Sequence, residues 1–299
     1  MAILIDKNTR LLVQGITGTE AQRSLSLMKS SGTVITCGVT PGKGGQSVEG
    51  IPVYNTVAEA LKKHPETNAS FVSVPPFAAK DAVIEAVFNG IKLVVCITEN
   101  VPVRDAALMA RYAQVHGVVL VGPGSVGVIA PGIGRIGPIG GLDTMASEIY
   151  QPGTVGVVST SGGMTNEVAW IVRQAGYGHS TVLSIGGEKI LGTTFADILQ
   201  RFEQDAQTKA VVLFGELGGH YENQIAALIK EKKFTKPLIA FIAGTFTESL
   251  PKGIQFGHAA ALLNEKETYP TYKKRALRDA GVHVVDALID IPNKLREVL

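Results

Sequence analysis

The chain has 299 residues, too many for one minimal domain and suited to two. Its 45% hydrophobic and 18% charged residues exclude a disordered polypeptide. The net charge is only +2, and the charges are dispersed without a basic run. Nucleic acids and anionic membrane surfaces are therefore excluded as partners, leaving small molecules and other proteins.

Apolar β-branched runs recur along the sequence. Leu11 to Val13, Val34 to Val39, Phe71 to Val74, Leu93 to Thr98 and Val118 to Val121 occupy the first half. Val155 to Ser159, Val182 to Ile185, Val211 to Phe214, Leu238 to Ile242 and Val282 to Val285 occupy the second. Continuous runs of this kind predict parallel strands buried on both faces. Amphipathic segments lie between them. Val168, Ile171, Val172 and Ala175 form one stripe, and Phe195, Ile198, Leu199 and Phe202 form another behind a Thr194 cap with Asp197 three residues on. The alternation predicts an α/β protein of two doubly wound domains, residues 1–148 and 149–299, dividing just before Gln151-Pro152-Gly153.

The uncharged stretch from Gly117 to Gly134 is broken by Pro123, Pro131 and repeated glycines, so it is not read as a membrane span. Met1 to Arg10 carries charges where a secretory leader needs an apolar run, and Cys37 and Cys96 lie in β-branched segments as core residues. A reducing cytoplasm is the expected compartment. No Cys or His stands at ligand spacing from either cysteine, so no metal site is expected.

In open parallel sheets ligands bind beyond the carboxyl ends of the strands, which directs attention to the turns there. Gln14 to Thr19 supplies glycines at a helix start, either as a plain tight turn or as a phosphate cradle. Gly38-Val39 continues into Thr40-Pro41-Gly42-Lys43-Gly44-Gly45 and offers no acid to a ribose hydroxyl. That disfavours a nicotinamide oxidoreductase and suits the phosphates of coenzyme A. Ser159 to Met164 reads as an anion site at a helix start or as simple serine capping. His258, in Gly257-His258-Ala259-Ala260-Ala261, is flanked by small residues, as a phosphoryl-accepting imidazole requires. Glu216 ends a buried strand and either holds that imidazole or is a solvated carboxylate. Of the other histidines, His64 and His116 read as helix-end residues, and His179, His220 and His283 as turn or edge residues.

Together these motifs resemble the α subunit of succinyl-CoA synthetase over essentially the whole chain. The carriers are Ile3 to Thr9 through Gly15-Ile16-Thr17-Gly18, and Gly38 to Gly45. In the second half, Ser161-Gly162-Gly163-Met164-Thr165-Asn166-Glu167, Gly122-Pro123 with Val126-Gly127, and Gln255-Phe256-Gly257-His258 followed by Asn264 and Glu267-Thr268 resemble ATP-citrate lyase and citryl-CoA synthetase more closely. The resemblance implies a Rossmann-like CoA-binding domain followed by a flavodoxin-like ligase domain. It implies CoA contacts from Thr17, Gly18, Thr19, Lys43, Pro75 with Pro76-Phe77, and Ile97, Thr98 and Glu99. It implies a phosphohistidine at His258 with Glu216 as its carboxylate partner, and a substrate or phosphate site at Ser159, Ser161, Gly162 and Gly163. The activity implied is NDP-forming acid–CoA ligation, with Mg2+ and ATP or GTP bound by a β subunit of ATP-grasp fold.

The glycine pair after Ser161 favours citrate over succinate or malate, because bare amides at a helix start suit an extra carboxylate. The sequence departs from the family at Thr160, in place of an arginine, and at Glu188-Lys189, Ser125 and Ala260. Losing a cation beside an anion site costs about 1 kcal/mol or more. A non-catalytic CoA-binding subunit is therefore the rival reading, opposed by the presence of both His258 and Glu216.

Overall fold

The computed structural model describes residues 2–250, 257–263 and 265–299. In the first part of the chain, β1 (Arg10–Gln14), α1 (Thr19–Ser30), β2 (Val34–Val39), β3 (Ser47–Val48), β4 (Ile51–Tyr54) and α2 (Val57–Lys63) are followed by β5 (Ala69–Val72), α3 (Pro76–Phe88), β6 (Leu93–Cys96), α4 (Val103–Val115) and β7 (Val119–Val121). A hairpin, β8 (Val128–Ala130) and β9 (Gly134–Ile136), and α5 (Asp143–Ile149) come next. The remainder runs through β10 (Pro152–Ser159), α6 (Gly162–Gln174), β11 (His179–Ser184), α7 (Phe195–Gln204), β12 (Ala210–Gly215) and α8 (Asn223–Lys230). It ends with β13 (Leu238–Ile242), α9 (Pro270–Asp279), β14 (His283–Val285) and α10 (Ile291–Val298).

Among the described residues the strands make two seven-stranded sheets. The first has the order β3-β4-β2-β1-β5-β6-β7, parallel apart from the β3–β4 hairpin. Without β3 this is the Rossmann arrangement, whose order reverses between β1 and β5. The second has the order β14-β13-β12-β10-β11-β8-β9, in which β10 to β14 follow the flavodoxin-like order and the switch lies between β10 and β12. The sheets therefore carry two separate C-terminal crevices.

The β8–β9 hairpin, antiparallel to β11, completes the second sheet although it precedes the 148/149 division. The buried Arg135 of β9 ties the hairpin back to the first part of the chain. Its guanidinium donates to the carbonyl of Leu27 in α1 at 2.9 and 2.5 Å, to that of Ile139 at 2.9 Å, and to Asp143 at 2.8 Å. The apolar core is likewise continuous, running from Leu11 and Val13 to Leu183 and Ile198.

Local chemistry explains the elements. The α7 helix opens on a capping box in which Thr194 Oγ1 accepts from Asp197 N and Asp197 Oδ2 accepts from Thr194 N, at 3.3 and 2.8 Å. Its stripe of Phe195, Ile198, Leu199 and Phe202 is fully buried, each side chain contributing about 2 kcal/mol of transfer free energy. Gly156 in β10 is required by that stripe, since a Cβ there would sit 2.5 Å from the Phe202 ring. No described helix is long and apolar enough to cross a membrane.

Candidate active site

The first crevice gathers the turns after β1, β2, β5 and β6. Gly15 has φ +82°, and a Cβ there would lie 2.1 Å from the Ser73 carbonyl, so only glycine lets the β1 turn approach the β5 turn. Gly18 caps α1 without any side-chain bond to the helix amides, which leaves the start of the helix open to an anion at Thr19. Thr17 Oγ1 donates to Thr40 Oγ1 at 3.3 Å and joins the β1 turn to the β2 turn. Pro75 caps α3. Ile97 N donates to Val72 O and Thr98 Oγ1 to Val74 O, so the β6 turn is tied to the β5 turn while Glu99 faces solvent.

The glycine-rich loop after β2 works differently from a backbone cradle. Asn55 Oδ1 accepts from Gly42 N and Gly44 N at 3.0 Å each, and the amides of Lys43, Gly45 and Gln46 bond to carbonyls. The loop amides are thus satisfied internally, and the exposed Lys43 ammonium is what this loop offers a phosphate. Asn55 is a positioning residue that sequence reading missed, because an asparagine 11 to 13 residues away carries no local signal. Gly42 and Gly45, where a Cβ would meet nothing within 4 Å, leave room for a ligand. The open α1 start, the lysine and this room fit the phosphates of CoA.

The second crevice holds the remaining candidates. Ser161 caps α6, its Oγ accepting from Met164 N at a long 3.4 Å. Gly162 is demanded by packing, since a Cβ would lie 2.3 Å from Val126 Cγ1, whereas Gly163 faces open space. Ser159, expected among the phosphate-site residues, is fully buried. Its Oγ donates to Ser161 O at 3.0 Å and accepts from Ser161 N at 2.9 Å, so it shapes the turn instead of facing a ligand. Thr160 Oγ1 is buried with no hydrogen-bond partner among the described residues.

His258 and Glu216 come together across 42 residues of sequence, with Nδ1 and Oε1 2.6 Å apart. The imidazole lies on Gly187, where a Cβ would be 2.6 Å from Cδ2 and Cγ, and Ala260 N donates to Gly187 O at 3.3 Å. The hydrogen bond to Glu216 raises the His258 pKa above the ordinary imidazole value against the opposing effect of burial, and the charges of Glu216, Glu99 and Glu188 add to the rise. Glu188, 9% exposed, also accepts from Asn100 N at 2.5 Å, so the turn after β11 reaches both the imidazole and the turn after β6. Gln255, Phe256 and Asn264, which carried part of the resemblance, lie outside the described residues.

His179 departs from its sequence reading as a turn or edge residue. It is fully buried in β11, an interior strand of the second sheet. Its Nε2 donates to Ala169 O at 3.1 Å while Nδ1 finds no partner among the described residues, and burial pushes its pKa down to about 4. The cysteines are buried as expected, with Cys96 pushed up to about 11 by burial.

Comparison with known proteins places these crevices in context. Residues 6–100 match the CoA binding domain model and residues 158–283 the CoA-ligase model. The chain is 44% identical to the α subunit 1 of an ADP-forming succinate–CoA ligase from Archaeoglobus fulgidus, over 100% of this chain and 99% of the relative. It is 40% identical to an ADP-forming sulfoacetate–CoA ligase subunit from an Acholeplasma species, over 100% of this chain and 97% of the relative. Among solved structures, ATP citrate lyase from Methanothrix soehngenii in complex with citrate and coenzyme A superposes with a TM-score of 0.92 at 32% identity. That alignment covers 99% of this chain and 50% of the longer lyase chain.

Proposed function

Because the chain belongs to the family of ADP-forming CoA-ligase α subunits, we propose that it joins CoA to a di- or tricarboxylic acid through an acyl phosphate and a phosphohistidine at His258. The observation that carries this reading is the 2.6 Å contact between His258 Nδ1 and Glu216 above Gly187. A carboxylate accepting the Nδ1 proton fixes the tautomer and makes Nε2 the nucleophilic nitrogen. The reading then runs in three steps. Nε2 takes a phosphoryl group from a nucleoside triphosphate, with the nucleoside diphosphate leaving. The phosphoryl group next passes to an oxygen of the substrate carboxylate. The CoA sulfur finally forms a bond to the acyl carbon as phosphate departs. The uncapped start of α1 at Gly18 and the start of α6 at Gly162-Gly163 stabilise anionic groups of CoA and of the acid, respectively.

Nucleotide and Mg2+ belong in this reading to a β subunit of ATP-grasp fold, and the compartment is the cytoplasm. In this reading residues 1–148 serve CoA binding and 149–299 ligation, which the presence of one crevice on each sheet supports. Citrate is the preferred acid, supported by the open space at Gly163. Succinate is the second reading, favoured by the 44% identity to a succinate–CoA ligase subunit. Mass spectrometry after co-expression with the β subunit tests the central claim: a phosphorylated His258 is expected, and an unmodified His258 under turnover conditions overturns it.

A further inference from the structure

Lys273 on α9 is completely buried, and Glu222, just ahead of α8, is 2% exposed. Their charges meet at 2.6 Å between Nζ and Oε2. A buried ion pair adds little net stability, so the groups it holds in place indicate its role. Lys273 Nζ also donates to the carbonyl oxygens of Glu216, at 2.8 Å, and Gly218, which engages all three of its N–H groups. Glu222 Oε1 accepts from Glu216 N at 3.1 Å. Both backbone polar groups of Glu216 therefore end on the same ion pair. Gly215 allows this arrangement, since a Cβ there would lie 2.6 Å from Glu222 Oε1. Gly218 in turn supports the histidine turn: its N–H donates to Thr268 O at 2.9 Å, and a Cβ on it would lie 2.0 Å from Ala260 O.

We infer that Lys273 and Glu222 are positioning residues, whose buried pair clamps the peptide on both sides of Glu216 and so aims the carboxylate that orients His258. Glu216 directly follows β12 (Ala210–Gly215), beyond the residues that pair with β13, so the ion pair supplies what the strand ladder does not. The inference concerns the geometry of the pair and extends to phosphoryl transfer only through the function proposed above. Among the described residues the charges of Glu216, Glu99 and Glu188 act on the His258 imidazole. Loosening the clamp removes the first of these and leaves the other two.

Two variants test the clamp in the full chain. Glu222→Gln keeps the size and an acceptor for Glu216 N while removing the charge, and Lys273→Met keeps the stem while removing the ammonium. NMR titration of the His258 ring is the primary readout, with thermal unfolding and calorimetric CoA affinity as controls. In both variants the His258 midpoint is expected to fall toward the ordinary imidazole range, with CoA affinity within twofold of the parent. With the β subunit present, the initial rate of His258 phosphorylation is expected to fall at least tenfold. A folded Glu222→Gln chain in which His258 titrates as in the parent overturns the inference, and this variant decides the matter alone if Lys273→Met does not fold. A parent that never becomes phosphorylated refutes the phosphohistidine reading instead, while shifted midpoints in the variants still support the clamp.

Discussion

Gly187→Ala is a sharp test of the site because it adds one methyl group directly beneath the imidazole. Gly187 does not have a positive φ, so alanine is compatible with its backbone. The new Cβ would lie 2.6 Å from His258 Cδ2 and Cγ and 3.0 Å from Nδ1, against an ordinary contact of 3.4–4 Å. The ring must retreat by about 1 Å, and its side chain, 34% exposed, can do so without disturbing the core. The 2.6 Å bond to Glu216 then opens past hydrogen-bonding distance. A charge-assisted hydrogen bond is worth about 1.5 to 3 kcal/mol, so His258 phosphorylation should slow by one to two decades. The assay is rapid-quench labelling of the α/β complex by radiolabelled nucleoside triphosphate, alongside thermal unfolding to show an unchanged fold. A labelling rate within twofold of the parent would refute the claim that the Glu216 contact orients the nucleophile.

Three further outcomes are expected. His258→Asn should abolish acid-labile, alkali-stable labelling and the overall reaction while CoA still binds by calorimetry; surviving label would move the nucleophile elsewhere. Lys43→Ala should weaken CoA binding by about 1 to 3 kcal/mol with the melting temperature unchanged, since the loop amides are already satisfied and the ammonium is the loop's contribution. His179 is held neutral with a pKa of about 4 against an ordinary 6.5, so the unfolded chain binds a proton at a higher pH than the folded chain does. Above pH 6.5 no proton-linked penalty applies, and stability is lost as the pH falls from about 6.5 to 4, by about 3 kcal/mol in all. Urea unfolding across that range should show the fall, and an equally steep profile in His179→Phe would rule out His179 as its source.

The parts of the fold legible in the sequence were those set by local periodicity. Unbroken apolar runs marked the strands, and the α7 stripe behind Thr194 marked a helix whose capping box the structure shows in full. The β8–β9 hairpin was hidden, because glycines and prolines in that stretch look like a linker and its partner strand β11 lies about 50 residues downstream. The same limit applies to the site. His258 and Glu216 stood out through small neighbours and a strand end, and the resemblance paired them. Lys273 reads as an ordinary solvated lysine on a charged helix, and only tertiary packing reveals that it is buried against Glu222. The amides of Gly42 and Gly44 and the hydroxyl of Ser159 show the converse: polar groups that look available for a ligand are consumed in shaping turns.

In the citrate reading the discriminating glycine is Gly163. Gly162 must be glycine to clear Val126 whatever the acid, so the pair carries only one residue's worth of information about the ligand. At 163 the missing side chain leaves open space beside the start of α6, where the helix dipole favours negative charge and the Ser161 cap is long at 3.4 Å. A tricarboxylate has a further anion to place there, and each charged hydrogen bond it gains is worth about 1.5 to 3 kcal/mol, or one to two decades in specificity. Thr160 acts in the opposite direction, because it supplies a buried hydroxyl without a partner among the described residues where an arginine would supply a charge. A hydroxyl can still donate one hydrogen bond, so the citrate reading expects a net preference of about one decade. Threonine at 163 meets no atom within 4 Å at its Cβ, and its effect should therefore fall on the ligand and not on the fold. Assays of the reconstituted complex are expected to give a citrate kcat/KM about tenfold above that for succinate. Gly163→Thr should erase this advantage while leaving succinate within threefold of the parent. A succinate kcat/KM equal to or above that for citrate in the parent refutes the citrate reading, and Gly163→Thr should then change little.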